Sequence, residues 1–163
     1  MTASLEQLPK KAKEKLKENK KLFEKLKKRV PKNLDVVLQD LHEEVFEQTD
    51  CLKCANCCKT TSPVFTQKDI EKIADFLRIR PAEMIEKYLK IDEDKDYVLK
   101  SSPCIFLDSQ NYCKIYEVRP KACQGYPHTD RKNFHNLFEI TLKNTAICPA
   151  VFDIVEKLNK IYC

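Results

Sequence analysis

Four cysteines crowd into the eight residues from Cys51 to Cys58, in the pattern C-x-x-C-x-x-C-C. Thiolates packed this densely repel one another unless a positive centre lies among them, and the usual centres are a divalent metal ion or an iron–sulfur cluster. The alternative is a disulfide pair or a set of idle thiols. Because cysteine spacing of this kind in a reducing compartment favours metal, the stretch predicts a metal-binding site.

Cys57 and Cys58 are adjacent, which limits what they can bind together. In an extended backbone, neighbouring side chains point to opposite faces. If the backbone is extended here, the two thiols serve different centres, or one of them ligates while the other packs.

Four further cysteines complete the candidate ligand set. Cys163 lies at the end of the chain and is set aside, which leaves eight. Eight thiols equal two complete four-thiolate sites, and they also suit one such site with four spare thiols. Zinc and an iron–sulfur cluster both stay open, since clustered thiolates bind thiophilic metals generally. The candidate ligands are Cys51, Cys54, Cys57, Cys58, Cys104, Cys113, Cys123 and Cys148.

Composition excludes several classes of protein. Gly125 is the only glycine among 163 residues, which speaks against a Rossmann loop or a P-loop, because both need several glycines. No apolar run approaches the roughly 18 residues that a membrane span needs. Residues 1–6 lack the basic and apolar regions of a secretory signal. Nine cysteines, an odd number, also fit poorly with a closed disulfide framework, so we expect a cytoplasmic protein with reduced thiols.

Charge is distributed unevenly along the chain. Residues 1–32 carry 12 Lys and Arg against 4 Glu, a net charge of +8, whereas the remainder carries 18 Lys and Arg against 21 Asp and Glu, a net charge of −3. The periodicity of the first segment predicts a basic helix over residues 4–29, which Pro31 ends. A helix face this rich in charge is most often solvated. Packing of its apolar stripe on the domain or on a partner protein is therefore favoured over binding to nucleic acid or acidic lipid.

The rest of the chain predicts a mainly α fold with a small β-hairpin, an irregular α+β domain organised by metal. Apolar periodicity indicates the helices, and Thr66 begins a capping box. Two apolar segments around Asp108 predict the hairpin, which would support Cys104 and Cys113. The one predicted boundary lies near Pro31. The predicted parts are a basic arm of residues 1–32 and a metal-binding domain of residues 33–163, with helices over 33–47, 66–78, 81–90 and 149–161, a hairpin of 104–107 and 112–116, a short turn or helix from 119 to 123, and strands over 97–99 and 134–142.

Five separated blocks of sequence resemble one known family. The match is to the YkgJ-type cysteine-cluster family of bacterial and archaeal proteins, described as zinc- or iron-chelating domains. The resemblance covers about residues 33–160, and it implies that the eight candidate cysteines are the metal-site residues. The blocks are the C-x-x-C-x-x-C-C stretch, Pro103-Cys104-Ile-Phe-Leu107, Cys113-Lys-Ile-Tyr116-Glu-Val-Arg119-Pro120, Cys123-x-x-Tyr126-Pro127 and the late Cys148.

Two positions depart from the pattern of that family. Ala55 stands where the family often has Gly after the second cysteine, a change that would alter a turn. Gln124 stands where an Arg often follows the cysteine of the R-P-x-x-C block, which puts a cation at that position in doubt.

Residues near the cysteines have side chains that suit a thiolate-rich centre. Arg119 would neutralise its negative charge. Tyr116 and Tyr126 would donate an O–H to sulfur or exclude solvent, with ordinary packing as an equal alternative. His128 lies five residues beyond Cys123 and is a candidate substitute ligand, disfavoured because eight thiols already suffice.

Three functions fit these features. The first is a metal-binding protein without catalysis of its own, favoured because no Ser/His/Asp arrangement is visible. The second is an enzyme, since the resemblance extends loosely to flagellin lysine N-methylases. One glycine and 163 residues leave little room for a methyltransferase domain, so an iron–sulfur redox enzyme with a partner is the better version. The third is a nucleic-acid-binding module with zinc as its scaffold, whose affinity would fall steeply with salt.

Overall fold

The computed structural model describes residues 4–163, which form a mainly helical fold with a small antiparallel hairpin. This confirms the predicted α+β class. The helices and strands are α1 Leu8–Lys28, α2 Leu34–Glu47, α3 Cys51–Cys54, α4 Asn56–Thr60, α5 Gln67–Leu77, α6 Pro81–Tyr88, β1 Leu89–Ile91, β2 Tyr97–Leu99, α7 Lys121–Gln124, α8 Phe138–Asn144 and α9 Pro149–Tyr162, with short 3₁₀ helices at Tyr116–Val118 and Phe134–Leu137.

Contacts between residues divide the chain into two compact units. Unit 1 combines the chain up to Asp50 with Pro127–Cys163, and unit 2 is the continuous segment Cys51–Tyr126. This division differs from the predicted boundary near Pro31, because α1 packs with α8 and α9. The separation of residues 1–32 from residues 33–163 stays a prediction.

Unit 1 is built around the apolar face of α9, which packs against α1, α2 and α8. Phe138 of α8 stacks on Phe23 of α1 with ring centroids 4.9 Å apart, and it meets Phe134 edge-on at 5.6 Å. The predicted apolar stripe of the basic helix is therefore only partly buried in this unit: Leu8, Ala12, Phe23 and Leu26 are buried, whereas Leu5, Leu16 and Val30 are exposed. Its core consists of Leu22, Phe23, Leu26, Leu34, Leu38, Leu41, Val45, Phe134, Phe138, Ala150, Val151, Ile154, Val155 and Leu158.

The predicted strand over residues 134–142 is wrong, because this segment is helical. Asp35 holds the start of the segment: its carboxylate accepts the backbone N–H of Asn133 at 2.8 Å and of Phe134 at 3.0 Å. Phe134, Phe138 and Thr141 are then buried at helical spacing. Packing against the core of unit 1 thus outweighs the strand propensity of their aromatic and β-branched side chains.

Unit 2 has its own smaller core, which lies between α5, α6 and the hairpin. Strands β1 and β2 pair antiparallel, with Leu89 opposite Leu99, and this confirms the predicted strand over residues 97–99. The capping box of α5 also forms, since Thr66 and Asp69 exchange side-chain and backbone hydrogen bonds. The core of unit 2 consists of Phe65, Ile70, Ile73, Ala74, Met84, Leu89, Leu99, Phe106 and Ile115.

The hairpin predicted for residues 104–107 and 112–116 is wrong in location, because the observed hairpin is formed by β1 and β2. Residues 104–107 and 112–116 share an isolated bridge between Leu107 and Cys113, and they do not form strands. Each segment closes on itself in a tight turn: Leu107 N–H donates to the Cys104 carbonyl at 3.1 Å, and Tyr116 N–H donates to the Cys113 carbonyl at 3.2 Å. Backbone groups used in these turns are not available for a ladder.

No helix in the described part of the chain is both long and apolar enough to cross a membrane. Helix α1 has the length, with 21 residues, but ten of them are lysines.

A buried pair of amides joins α1 to α9 and generates a prediction about unit 1. Asn159 Nδ2 donates to Asn19 Oδ1 at 2.8 Å, and the second polar atom of each side chain has no partner among residues 4–163. Asn159→Ala leaves the Asn19 amide entirely unpaired, so we expect a loss of about 1–3 kcal/mol in the free energy of unfolding. Replacing both residues by Leu removes all four polar groups and should be nearly neutral. Urea unfolding measures the free energy of unfolding of both variants. An unchanged value for Asn159→Ala would contradict the interpretation.

Candidate metal centre

Seven of the eight candidate cysteines belong to unit 2, and the eighth, Cys148, belongs to unit 1. Cys148 directly precedes α9, as predicted. All nine cysteines of the chain are free thiols, and Cys51 and Cys163 are exposed. The cysteines of unit 2 are carried by three kinds of support: the paired helices α3 and α4, two tight turns, and α7.

The C-x-x-C-x-x-C-C stretch folds as two short helices separated by Ala55. Cys57 and Cys58 lie on α4, so the extended backbone assumed for them is wrong, and on a helix their side chains are about 100° apart. Ala55 adopts the left-handed conformation, with φ 45°, and is buried. A residue with a Cβ pays about 1–2 kcal/mol for this conformation. The turn between the helices thus forms with Ala at the position where glycine would be unstrained.

Cys104 and Cys113 occupy two turns of the same design. In each turn, the backbone N–H two positions onward, of Phe106 or Ile115, lies near enough to the cysteine sulfur to lower the pKa of the thiol, against the larger effect of burial. Phe106 and Ile115 are themselves buried in the core of unit 2, which fixes the turns. Donation of N–H groups to sulfur favours the thiolate form and orients it. Both thiols are therefore held in positions suited to ligation.

Hydrogen bonds tie these turns to each other and to the cysteine helices. Lys114 N–H donates to the Phe106 carbonyl at 2.7 Å, which joins the two turns. Cys104 N–H donates to the Cys58 carbonyl at 2.8 Å, which joins the first turn to α4. The side-chain amide of Asn111 donates to the Leu52 carbonyl of α3 at 2.7 Å. Residues distant in sequence are thereby brought to one end of unit 2.

Four thiols of unit 2 lie close enough for each to act electrostatically on the others. Every pair among them interacts: a thiolate at any one raises the pKa of its neighbours. Burial raises the pKa of Cys104 and Cys113, and burial together with the three other thiols raises the pKa of Cys123 to about 12. A hydrogen bond to Cys57, with burial second, raises the pKa of Cys58. The group, called here the four-thiol cluster, is Cys58, Cys104, Cys113 and Cys123.

The four-thiol cluster suits a thiophilic metal in its chemistry and its position. Four sulfurs from separate elements match the ligand number of structural zinc and of iron–sulfur sites. Within residues 4–163, however, no three His, Cys, Asp or Glu side chains already surround a common point closely enough to hold a metal ion. Ligation would need these side chains to turn toward one centre. A bound cation would supply the positive charge that lets all four thiols ionise together.

Arg119 acts on the cluster in the direction expected from the sequence. Its positive charge opposes the effect of burial and lowers the pKa of Cys113 and Cys123. The guanidinium lies 3.8 Å from the centre of the Tyr116 ring and donates to the Tyr116 carbonyl at 3.3 Å. Tyr116 is 63% exposed, so its role here is to hold Arg119. Gln124 donates to the Arg119 carbonyl at 3.1 Å and so contacts the backbone of this cation.

His128 belongs to unit 1, where it is buried with a left-handed backbone at φ 67°. Its part as a substitute ligand stays a prediction. Tyr126 N–H donates to the Cys123 carbonyl at 3.4 Å, so this tyrosine contributes a backbone contact beside the cluster.

Asp69 positions the cluster in a way that the sequence analysis missed. Asp69 completes the capping box of Thr66, and one carboxylate oxygen accepts Thr66 N–H at 2.9 Å. The other oxygen accepts Lys121 N–H at 3.1 Å, at the start of α7, two residues before Cys123. Asp69 is buried, so both bonds are shielded from water. A capping box gives no sign of a second acceptor 52 residues away, and only the fold reveals it.

The clustered cysteines agree with the comparison with known families. The family model "CxxCxxCC: Putative zinc- or iron-chelating domain" matches residues 50–148, more than half of the chain. The chain therefore belongs to this zinc- or iron-chelating family, and the predicted resemblance is confirmed.

Comparison with individual proteins gives a relative of unknown function and no solved structure. Over 82 residues, 48% of this chain, the sequence is 39% identical to an uncharacterised protein of Methanocaldococcus jannaschii. The matched part spans 44% of that relative, less than half its length. No solved structure matches the chain.

Asp69 and Thr66 make a matched pair of variants. Asp69→Ala leaves two partly buried N–H groups without their acceptor and frees the start of α7. We therefore expect a loss of about 1 kcal/mol of stability and about tenfold weaker metal binding. Thr66→Ala removes only the cap, at about 1 kcal/mol, and should leave metal affinity unchanged. Urea unfolding and competition with a coloured chelator measure the two quantities. Equal losses of metal affinity in both variants would exclude the positioning role of Asp69.

The raised thiol pKa values predict how the metal-free protein responds to pH. The folded state holds protons that the unfolded state releases at an ordinary thiol pKa of about 8.5. Stability is therefore complete below that pH and falls as pH rises toward the folded pKa of about 12 for Cys123. Cys123→Ser should flatten this fall, whereas Cys163→Ser, at the exposed terminus, should not. Urea midpoints from pH 8 to 10 with chelator and reductant test this window, and an unchanged slope in Cys123→Ser would contradict it.

Proposed function

We propose that the protein chelates zinc or iron through its cysteine thiolates, with the four-thiol cluster of unit 2 as the first centre. The observation that carries this proposal is the convergence of separate cysteine segments: Cys104 N–H donates to the Cys58 carbonyl at 2.8 Å, and Cys113 shares a bridge with Leu107. Four thiols held close together repel one another when they ionise. They are also only partly buried, so packing in a hydrophobic core does not explain their proximity. A bound cation explains the arrangement, and it agrees with the family to which the chain belongs.

The remaining predicted ligands are proposed as a second group of donors. Cys51, Cys54, Cys57 and Cys148 complete a total of eight thiols, enough for two four-thiolate sites. This part of the proposal rests on ligand number and on the matched family region, which ends at Cys148.

The residues of the chain have distinct parts in this proposal. The thiols of the cluster would bind the metal, the N–H groups of Phe106 and Ile115 would orient two of the sulfurs, and Arg119 would offset negative charge. A four-thiolate zinc centre has a net charge of −2, so a nearby cation stabilises it. When bound, the metal supplies a cross-link among segments far apart in sequence, and its binding free energy adds to that of folding.

Metal analysis of cysteine variants tests the proposal. Protein purified without oxygen should contain about two metal centres per chain if all eight thiols ligate, and about one if the cluster acts alone. Cys113→Ser should remove one centre, and Cys51→Ser should remove the other. Cys163→Ser is the matched control and should keep the full content. Elemental analysis, acid-labile sulfide and absorption near 400 nm distinguish zinc from an iron–sulfur cluster.

Two outcomes would contradict the proposal. If Cys113→Ser and Cys163→Ser contain the same amount of metal as the unaltered protein, the four-thiol cluster is not a ligand set. If the purified protein takes up neither zinc nor iron with submicromolar affinity, chelation by this chain is excluded.

A further inference from the structure

Helix α1 presents a row of lysines on the side opposite its buried stripe. Leu8, Ala12, Leu22 and Leu26 face the interior of unit 1. At 100° per residue, the opposite side carries exposed lysines spaced three or four residues apart. These residues, called here the lysine face, are Lys10, Lys13, Lys17, Lys20, Lys21 and Lys28.

None of the six lysines forms an ion pair within the region that the structure describes, residues 4–163. Other lysines of α1 do find partners: Lys15 lies 2.9 Å from the Glu18 carboxylate and 3.5 Å from Glu156, and Lys25 donates to the Tyr162 carbonyl at 2.5 Å. Like charges three or four residues apart destabilise a helix. The lysine face keeps several such pairs, although Glu14 and Glu24 also lie on this side of the helix. A polyanion would relieve that repulsion.

The positive charge is concentrated on α1 and is not shared by all of unit 1. Helix α1 carries ten lysines and three glutamates, whereas α2 of the same unit carries five carboxylates and no Lys or Arg. A partner attracted by charge would therefore approach unit 1 at α1.

The buried apolar stripe argues against a membrane as that partner. Helices that lie on a bilayer insert their apolar face among the lipids. In α1 this face is used in the core of unit 1, and Leu16, 36% exposed, is the one large apolar side chain that remains exposed between Leu8 and Lys28. The partner must be one that recognises charge alone.

We propose that the lysine face binds the phosphate backbone of double-stranded DNA without sequence preference. A helix with its side chains is about 10–12 Å across, and the major groove is about 12 Å wide. Lys10 and Lys28 are about 27 Å apart along the helix axis, at 1.5 Å per residue, so several phosphates lie within reach of the row. The face has no aromatic side chain to stack on unpaired bases, which disfavours single strands. It also has no Asn or Gln to read adenine, and lysine is an ordinary ligand of backbone phosphates.

The test uses the full chain in reduced form and a fluorescent duplex about two helical turns long. Fluorescence anisotropy measures the dissociation constant from about 50 to 200 mM KCl. The variant Lys13→Gln/Lys17→Gln/Lys20→Gln should bind at least tenfold more weakly near 100 mM KCl. The slope of log K against log [KCl] should shrink by about 2.7, or 0.9 for each lost phosphate contact.

Two matched variants make the test specific. Lys68→Gln/Lys72→Gln/Lys90→Gln changes the net charge equally at exposed lysines of unit 2, and its affinity should change less than about twofold. Lys13→Arg/Lys17→Arg/Lys20→Arg keeps charge and helix propensity, and it should bind like the unaltered protein. Circular dichroism checks that all three variants keep their helical content.

Three results would overturn the proposal. These are the absence of salt-dependent binding to the duplex, an equal loss in the unit 2 control, and tighter binding to phosphatidylserine vesicles than to DNA. The last result would assign the lysine face to a membrane surface. None of these results depends on metal binding, so the proposed metal chelation is judged separately.

Discussion

The repulsion among neighbouring thiolates is the constraint on which unit 2 depends. Cys58, Cys104, Cys113 and Cys123 are partly buried and lie close enough for each to hinder the ionisation of the others. At neutral pH and without metal, the cluster is therefore protonated and uncharged. Binding of a cation favours the thiolate form and releases the thiol protons. The metal–sulfur bonds then cross-link the segments that carry the four cysteines. Arg119 reduces the same repulsion in part, since it lowers the pKa of two of the four thiols.

Turns and individual hydrogen bonds hold those thiols in place, with little help from long helices or strands. Two tight turns carry Cys104 and Cys113, a hydrogen bond from Cys104 N–H fixes the first turn to α4, and the Asp69 carboxylate fixes the start of α7 near Cys123. The core that supports them is small, so the free energy of unfolding of unit 2 should owe much to bound metal. Unit 1 is different, because helices α1, α2, α8 and α9 bury a larger apolar core of their own.

Sequence patterns predicted long periodic elements well and short irregular ones poorly. The helices at α1, α2, α5, α6 and α9 follow from apolar spacing, capping and proline, and the capping box at Thr66 is present. The 104–116 segment was predicted to be a hairpin because its apolar runs resemble strands, but hydrogen bonds after each cysteine close turns instead. The proximity of the four thiols, the left-handed Ala55 and the second bond of Asp69 arise from contacts between distant residues, which no local pattern encodes. The family was recognisable from the sequence because its motifs are cysteines at fixed spacings.

The central claim is that the four thiols of unit 2 bind one metal centre, and X-ray absorption at the metal edge tests it most directly. We would use the variant Cys51→Ser/Cys54→Ser/Cys57→Ser/Cys148→Ser, in which the four-thiol cluster and Cys163 are the remaining thiols. With zinc bound, the account predicts a first shell of four sulfurs at about 2.3 Å and no nitrogen or oxygen ligand. A first shell with two or fewer sulfurs, completed by nitrogen or oxygen at about 2.0–2.1 Å, would contradict it.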